Sequence, residues 1–262
     1  MTEMNGQPLK LGIIGAGAMG QGIAQISLMG GIDVVLHDAN QQAAENGLAQ
    51  VGKRLDRLVE KERMTADEAQ TAKDRAAIAA SLEDLKDCTI VVEAVFEDLE
   101  LKQGIFSSLE SIVADDCILA SNTSSLLIAT IARNCRNKTR IAGMHFFNPV
   151  PLMKLVEIVK SADTSDETVE TLTALAHRMT RTPVTVKDAP GFLVNQGGRA
   201  YARNALRILP EQDATPPQVV DNLRDCGHFR MGPCELADLT GMDVIYPVRL
   251  VVYTGVDRDP RR

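Results

Sequence analysis

The constraint that does most to fix how this chain can fold is a glycine-rich turn close to its start. Leu9 to Gly15 reads LKLGIIG, a short apolar run, and it passes straight into Gly15-Ala16-Gly17-Ala18-Met19-Gly20, which fits G-x-G-x-x-G. A helix-like stretch follows from about Ala18 to Met29. Such hexamers occur by chance in many loops, so the reading rests on context: an apolar strand before, a helix after. In that setting Gly15 permits the tight turn, Gly17 lets the backbone approach a pyrophosphate, and Gly20 allows helix and strand to pack closely. The N–H groups of the opening helical turn, with Ala18 and Met19 among them, then meet the phosphates at the positive end of the helix dipole. Asp38 closes a second strand-like run, Asp33 to Asp38 (DVVLHD), 18 residues after Gly20. A carboxylate there can bind both ribose hydroxyls of an adenosine and would repel a 2′-phosphate. His37, Ala39 and Asn40 supply no arginine to receive such a phosphate. The expected cofactor is NAD rather than NADP. On the residues alone, a plain βα turn with a solvent-facing Asp38 stays open.

The same alternation continues along the chain. A long charged amphipathic region, about Gln41 to Ala80, reads as two helices broken near Met64-Thr65, with Thr65 placed to cap the second. Three apolar runs follow: Thr89 to Ala94 (TIVVEA), Cys117 to Ser121 (CILAS) and Arg140 to Phe146 (RIAGMHF), with helices between them. Strands separated in this way predict βαβ units, hence an α/β fold with a Rossmann-type, doubly wound, mostly parallel sheet. The texture changes at Lys187-Asp188-Ala189-Pro190-Gly191. Beyond it, segments at about Asn195 to Leu209, Pro217 to Arg224 and Pro233 to Leu250 read as helical. We expect an NAD-binding domain over 1–187 and a smaller all-helical domain over 188–262. A helical unit of about 75 residues rarely holds a sufficient core alone. It is expected to dock on the first domain, pair with another subunit, or be incomplete.

Charge and composition exclude several classes. Acidic side chains outnumber basic ones by 35 to 28 and aromatics make up 3%, so neither the basic field nor the stacking rings of a nucleic-acid binder are visible. No apolar run approaches the roughly 18 residues that a membrane helix needs. The polar stretch Met1 to Lys10 has no secretory apolar segment. The expected location is cytoplasmic, with no membrane or nucleic-acid partner. Cys88, Cys117, Cys135, Cys226 and Cys234 are odd in number and lack a C-x-x-C pair, while His37, His145, His177 and His228 are scattered. They read as reduced thiols packed as small apolar groups, with no metal site.

Three further runs follow strand-like segments or turns. They are Ser121-Asn122-Thr123-Ser124-Ser125, Met144 to Pro151 (MHFFNPVP), and Met153-Lys154-Leu155-Val156-Glu157. Together with Gly15 to Gly20 and Pro190 to Asn195 (PGFLVN), and in that order from about Leu9 to Val244, the chain resembles the 3-hydroxyacyl-CoA dehydrogenase family. The chemistry fits that resemblance. Oxidising a secondary alcohol with NAD requires a base, and imidazole has a reference pKa of about 6.5, near working pH. The proline-containing turn after His145 could reverse the chain and bring Glu157 to the second ring nitrogen, fixing the tautomer. The resemblance implies that His145 and Glu157 form this dyad and that Ser124 hydrogen-bonds the substrate's C3 oxygen. It further implies that Asn195 lies beside His145 near the thioester end, and that Asn122, Glu97 and Lys102 line the nicotinamide side of the cofactor site. On the residues alone, Ser124 as a cap for a helix near Ser125, Glu157 on the surface and Asn195 as a helix cap stay open.

Coenzyme A is anionic, so an acidic chain needs a local basic patch. Lys53, Arg54, Arg57, Lys61 and Arg63 crowd one predicted helix, where Lys53, Arg57 and Lys61 share a stripe. By resemblance Lys61 is a CoA contact, and Arg54, where some members have serine, joins it with Ser124 on the substrate side. A solvated face balanced by Asp56, Glu60 and Glu62 is the alternative. The chain departs from the family pattern at Gln196, where many members have arginine, at Gly197 and Gly198 early in a helix, and at Arg230, where proline is common. It also stops soon after Val251-Val252-Tyr253, whereas family members continue through further helices, so the resemblance implies an incomplete helical domain. The resulting expectation is an NAD-dependent (S)-3-hydroxyacyl-CoA dehydrogenase acting on acyl-CoA, as a homodimer through the helical domain. A related sugar-acid dehydrogenase and a non-catalytic, truncated or recruited family member are the rivals. A β-hydroxyacid dehydrogenase would need a catalytic lysine on a helix, and Lys187 precedes Pro190 instead.

Overall fold

A short antiparallel hairpin, β1 (Glu3–Met4) with β2 (Gln7–Pro8), leads into β3 (Lys10–Ile14), whose Leu11, Ile13 and Ile14 are buried. A strand apolar on both faces must be covered on both, and β3 lies inside an eight-stranded sheet. The computed structural model describes residues 3–4, 7–198, 214–241 and 245–246. After β3 come α1 (Ala18–Met29), β4 (Asp33–His37), α2 (Gln41–Glu60), α3 (Ala66–Asp74) and β5 (Ala76–Ala79). Then follow β6 (Ile90–Glu93), α4 (Leu99–Ile112), β7 (Ile118–Ser121), α5 (Ile128–Ile131) and β8 (Ile141–Phe146). The sheet is completed by β9 (Leu155–Lys160), α6 (Asp166–Arg178) and β10 (Thr182–Lys187). Its strand order is β10-β9-β8-β7-β6-β3-β4-β5. Every neighbouring pair is parallel except β8 with β9. The chain builds outward from β3 to β5 and then returns to the other side of β3 as β6. That reversal opens a crevice at the C-terminal ends of β3 and β6, where open α/β sheets bind ligands.

The doubly wound sheet is as the sequence predicts, with local differences. The helical reading of the region to Ala80 holds to Asp74, and Thr65 caps α3 through reciprocal hydrogen bonds with Glu68. Ala76 to Ala79, built largely from a good helix former, is instead an edge strand because β4 offers it a ladder. Between β7 and β8 the expected helix shrinks to the four residues of α5 and flanking 3-10 turns. The strands β9 and β10 are additions to the sequence-based expectation, and β9 supplies the antiparallel junction.

The chain divides into two compact units, Met1–Asp188 and Ala189–Arg262. In the second, residues 194–198 are helical, and the rest of the helix expected to Leu209 lies outside the described residues. Next come α7 (Pro216–Gly227), started by Thr215 whose N–H donates to Gln218 Oε1, and α8 (Pro233–Thr240). Within the stretch expected to be helical to Leu250, α8 ends at Thr240, where Gly241 takes φ +87°, open to glycine without steric cost; residues 245–246 are again helical, and the remainder of the stretch lies outside the described residues. Among the described residues no helix is long and apolar enough to cross a membrane.

Cys88, Cys117 and Cys135 are buried as small apolar groups in the first unit. Burial pushes the Cys88 thiol from 9.0 up to about 11, and that of Cys117 up to about 12. A thiol that ionises later in the folded chain than in the unfolded one stabilises the fold fully below about pH 9 and progressively less above it. Unfolding free energy should therefore fall from about pH 9 upward, by about 1.4 kcal/mol per pH unit for each thiol. Cys117→Ala should make that decline shallower, which denaturant midpoints at about pH 8 and about pH 10.5 would check.

Candidate active site

The glycine turn sits in the crevice between β3 and β6. Gly15 has φ +103°, and its N–H donates to the His37 carbonyl at 2.8 Å. A Cβ on Gly15 would lie 2.6 Å from the Ala94 carbonyl oxygen, and one on Gly20 only 1.8 Å from the Gly15 carbonyl oxygen. Neither position admits a side chain. Gly17 differs: it is exposed, with nothing within 4 Å of where a Cβ would be, and it starts α1 without a side-chain cap. Exposed Ala18 and half-buried Met19 follow. Asp38 is drawn to the same turn, its Oδ2 accepting from Ala16 N–H at 2.8 Å and its Oδ1 from Asn40 N–H at 2.9 Å. A bare helix start, an open approach at Gly17 and a carboxylate fixed at the end of β4 fit a dinucleotide with an unphosphorylated ribose.

The second half of the site comes from the antiparallel junction. In the β8–β9 ladder His145 stands directly opposite Glu157, so both side chains leave the sheet on one face. His145 Nδ1 lies 2.7 Å from Glu157 Oε2, with the two residues 3% and 0% exposed. The Phe147 ring packs at 54° to the imidazole with centroids 4.5 Å apart. Between the strands, Leu152 and Met153 N–H groups both donate to the Pro149 carbonyl, closing the turn. Val150 is buried against Gly22 of α1, where an added Cβ would fall 2.7 Å from Val150 Cβ. The helix that opens the nucleotide site thus also backs the turn behind His145. Asn122 ties the strand ends together, its Oδ1 accepting from Phe146 N–H at 2.8 Å and its N–H donating to the Glu93 carbonyl.

Ser124 lies on the loop after β7, and Glu97 organises that loop. Glu97 Oε1 accepts from Thr123 Oγ1 at 2.6 Å, Ser124 N at 2.9 Å, and Ser125 N and Oγ at 3.1 and 3.0 Å. Burial raises the Glu97 carboxyl, but the Lys102 ammonium and the donors on Thr123, Ser124 and Ser125 outweigh it and hold the group below the usual carboxylate range. Lys102 is 1% exposed and donates to Glu93 Oε1 at 2.6 Å, with Glu97 Oε2 at 3.4 Å. Removing one partner of such a buried pair costs on the order of 3–5 kcal/mol, because a charge is left uncompensated. Downstream, both Asp188 carboxylate oxygens accept amides at the start of α5, from Ile128 and Ala129 at 2.8 Å. Ser124 does not cap α5, which begins at Ile128.

The remaining site candidates are more dispersed. Lys53, Arg57 and Lys61 are exposed on α2 and its C-cap, while Arg54 is half-buried and donates to Gln21 Oε1 at 3.0 Å. Asn195 falls inside the helical segment 194–198 of the second unit rather than at its cap. Glu93 and Phe147 escape a reading of the sequence, although a carboxylate ending the apolar run TIVVEA signals a buried acid that needs a partner.

Comparison with known proteins identifies the family. The model of the 3-hydroxyacyl-CoA dehydrogenase NAD-binding domain matches residues 10–189, and that of the family's C-terminal domain matches residues 191–262. The chain belongs to the 3-hydroxyacyl-CoA dehydrogenase family. It is thereby an NAD-dependent oxidoreductase. It is 37% identical to 3-hydroxybutyryl-CoA dehydrogenase of Clostridioides difficile over 94% of this chain and 88% of that protein. Identity is also 37% to the mitochondrial hydroxyacyl-coenzyme A dehydrogenase of Sus scrofa, over 88% of this chain and 76% of that one. The crystal structure of (S)-3-hydroxybutyryl-CoA dehydrogenase from Ralstonia eutropha superposes with a TM-score of 0.93 at 39% identity, covering 96% of this chain and 89% of that one. For this dehydrogenase, Asp38→Ala should weaken NAD binding about tenfold or more, the worth of hydrogen bonds to a charged group, and leave NADP binding unchanged or improved. Titration of both cofactors checks this, and an equal loss for both would remove the ribose role.

Proposed function

We propose that the chain interconverts (S)-3-hydroxyacyl-CoA and 3-oxoacyl-CoA, with His145 as general base in oxidation and general acid in reduction. The observation that carries this reading is the buried His145–Glu157 contact of 2.7 Å beside the crevice of a dinucleotide fold. Bound at Gly15, Gly17, Ala18, Met19, Gly20 and Asp38, NAD supplies the hydride acceptor in oxidation and NADH the donor in reduction. With Nδ1–H given to Glu157, the Nε2 atom exchanges the proton of the C3 hydroxyl. Glu157 compensates the positive charge on the imidazole as it takes that proton. Ser124 donates to the C3 oxygen, and Asn195 orients the thioester end. Asn122, Glu97 and Lys102 shape the side on which the nicotinamide lies.

Lys53, Arg57 and Lys61 support a coenzyme A role, since among the described residues no carboxylate holds any of them in a salt bridge. Arg54 adjoins this stripe. The same reading takes the chain to work in the cytoplasm, in β-oxidation-type turnover of acyl thioesters. It also takes the chain to act as a homodimer through the helical unit, where Leu236 and Leu239 of α8 are exposed.

Acetoacetyl-CoA with NADH should be reduced, read as loss of NADH absorbance, whereas free acetoacetate should not. Turnover of the free acid alone would defeat the coenzyme A assignment. His145→Gln should lower turnover by at least about a hundredfold while NADH binding stays nearly intact. Preserved turnover would remove the base assignment.

A further inference from the structure

We propose that Asp188 is a positioning residue for Ser124, tying the segment that carries Ser124 to the strand end from which the chain runs on towards Asn195. Ser124 stands four residues before Ile128, where α5 begins. Glu97 gathers the loop itself, but the segment must also be held where it runs into α5. A helix of four residues is too short to keep its place unaided. Leu127 occupies its N-cap position and has no side-chain oxygen to offer the first amides. Asp188 supplies what Leu127 cannot, from 60 residues further along the chain. Its Oδ1 accepts from Ile128 N–H and its Oδ2 from Ala129 N–H, both at 2.8 Å.

A serine or aspartate at position 127 would serve the first turn of α5 locally, without closing a loop of that length. The long-range contact does something a local cap cannot: it sets a distance. Asp188 is itself fixed through its backbone, since its N–H donates to the Lys160 carbonyl at 3.1 Å and continues the β9–β10 ladder. The α5 side is equally firm, because Ile128 is fully buried and a Cβ on Gly143 of β8 would come within 3.0 Å of its Cδ1. Past Asp188 the chain turns at once. Phe192 N–H donates to the Ala189 carbonyl at 2.8 Å, with Gly191 at φ +75° and Phe192 at φ +49°. A residue with a side chain adopts that last angle only where its surroundings hold it. A stiff turn therefore follows the residue that grips the Ser124 segment, and Asn195 comes three residues after Phe192.

This inference rests on the role proposed above for Ser124, and a double-mutant cycle separates the two. Asp188→Asn keeps the shape of the side chain but sets an amide donor against a backbone N–H, while the ladder contact to Lys160 remains. The kcat and KM for NADH-dependent reduction of acetoacetyl-CoA would be measured for the unmodified chain, Asp188→Asn, Ser124→Ala and the double variant, with the Kd for NADH from fluorescence titration. Misplacing Ser124 by up to about 1 Å should lower kcat/KM for acetoacetyl-CoA about ten- to a hundredfold in Asp188→Asn, with the Kd for NADH within about twofold. In the Ser124→Ala background the same substitution should cost less than about threefold, because the hydroxyl it positions is gone. An equal fall in both backgrounds would overturn the inference, and so would an unchanged kcat/KM in Asp188→Asn. Ser124→Ala with undiminished kcat/KM would instead remove the role of Ser124, and the inference with it. Adding Leu127→Asp to the Asp188→Asn chain gives α5 a local cap, which tells tying from capping and takes the place of Asp188→Asn should that variant alone not fold. A regained thermal midpoint with kcat/KM still low supports the tie. Recovery of both together would show that any acceptor serves, and would overturn it.

Discussion

One reversal of strand direction determines what this sheet can do. Its other pairings are all parallel, an arrangement that brings strand ends to one edge through evenly spaced, slanted hydrogen bonds. At β8–β9 the direction inverts, and antiparallel pairing sets His145 opposite Glu157 with a separation fixed by the backbone ladder. The dyad is then held by the fold itself rather than by a loop. Supporting contacts converge on the same point: Asn122 clamps the end of β8, Phe147 packs on the ring, and Gly22 lets α1 back the turn.

Carboxylates recur as organisers throughout the first unit. Glu93, Glu97, Glu157 and Asp188 each lie in a strand or follow one and accept donors that would otherwise be orphaned. Glu110, on α4, accepts the amides of Arg136 and Asn137, and its carboxyl is lowered although burial opposes this. At Asp188 the balance is the reverse: burial raises the carboxyl further than the two amides lower it. Parallel strands deliver chain to the same end of the sheet, where loops leave amides and hydroxyls to be satisfied. An acid near the strand end meets that need and pre-sets the loops on which binding depends.

The nucleotide half of the site is legible in the sequence because its chemistry is local. Glycine spacing, an apolar strand and Asp38 lie within about 30 residues, and each glycine has a steric reason that survives in coordinates, most plainly at Gly15 and Gly20. His145 and Glu157 are readable as a pair through the turn between them, but the strand that presents Glu157 is not. LVEIVK is a short run that periodicity alone does not assign. β5 is hidden for a different reason, since its alanines favour helix until β4 offers a ladder. The set of contacts around Ser124 is beyond sequence reasoning because its members come from β6, α4 and two loops, joined only by the crossover topology. The position of Lys102 is suggested by resemblance, whereas its burial between Glu93 and Glu97 is not.

The chemistry turns on which imidazole nitrogen of His145 carries the proton when the ring is neutral. Nitrogen NMR of the imidazoles, assigned by substituting His37, His177 and His228 in turn, reads this directly. A protonated Nδ1, donated to Glu157, and a bare Nε2 are the predicted result. A neutral ring protonated at Nε2, or one averaging between both forms, would contradict it.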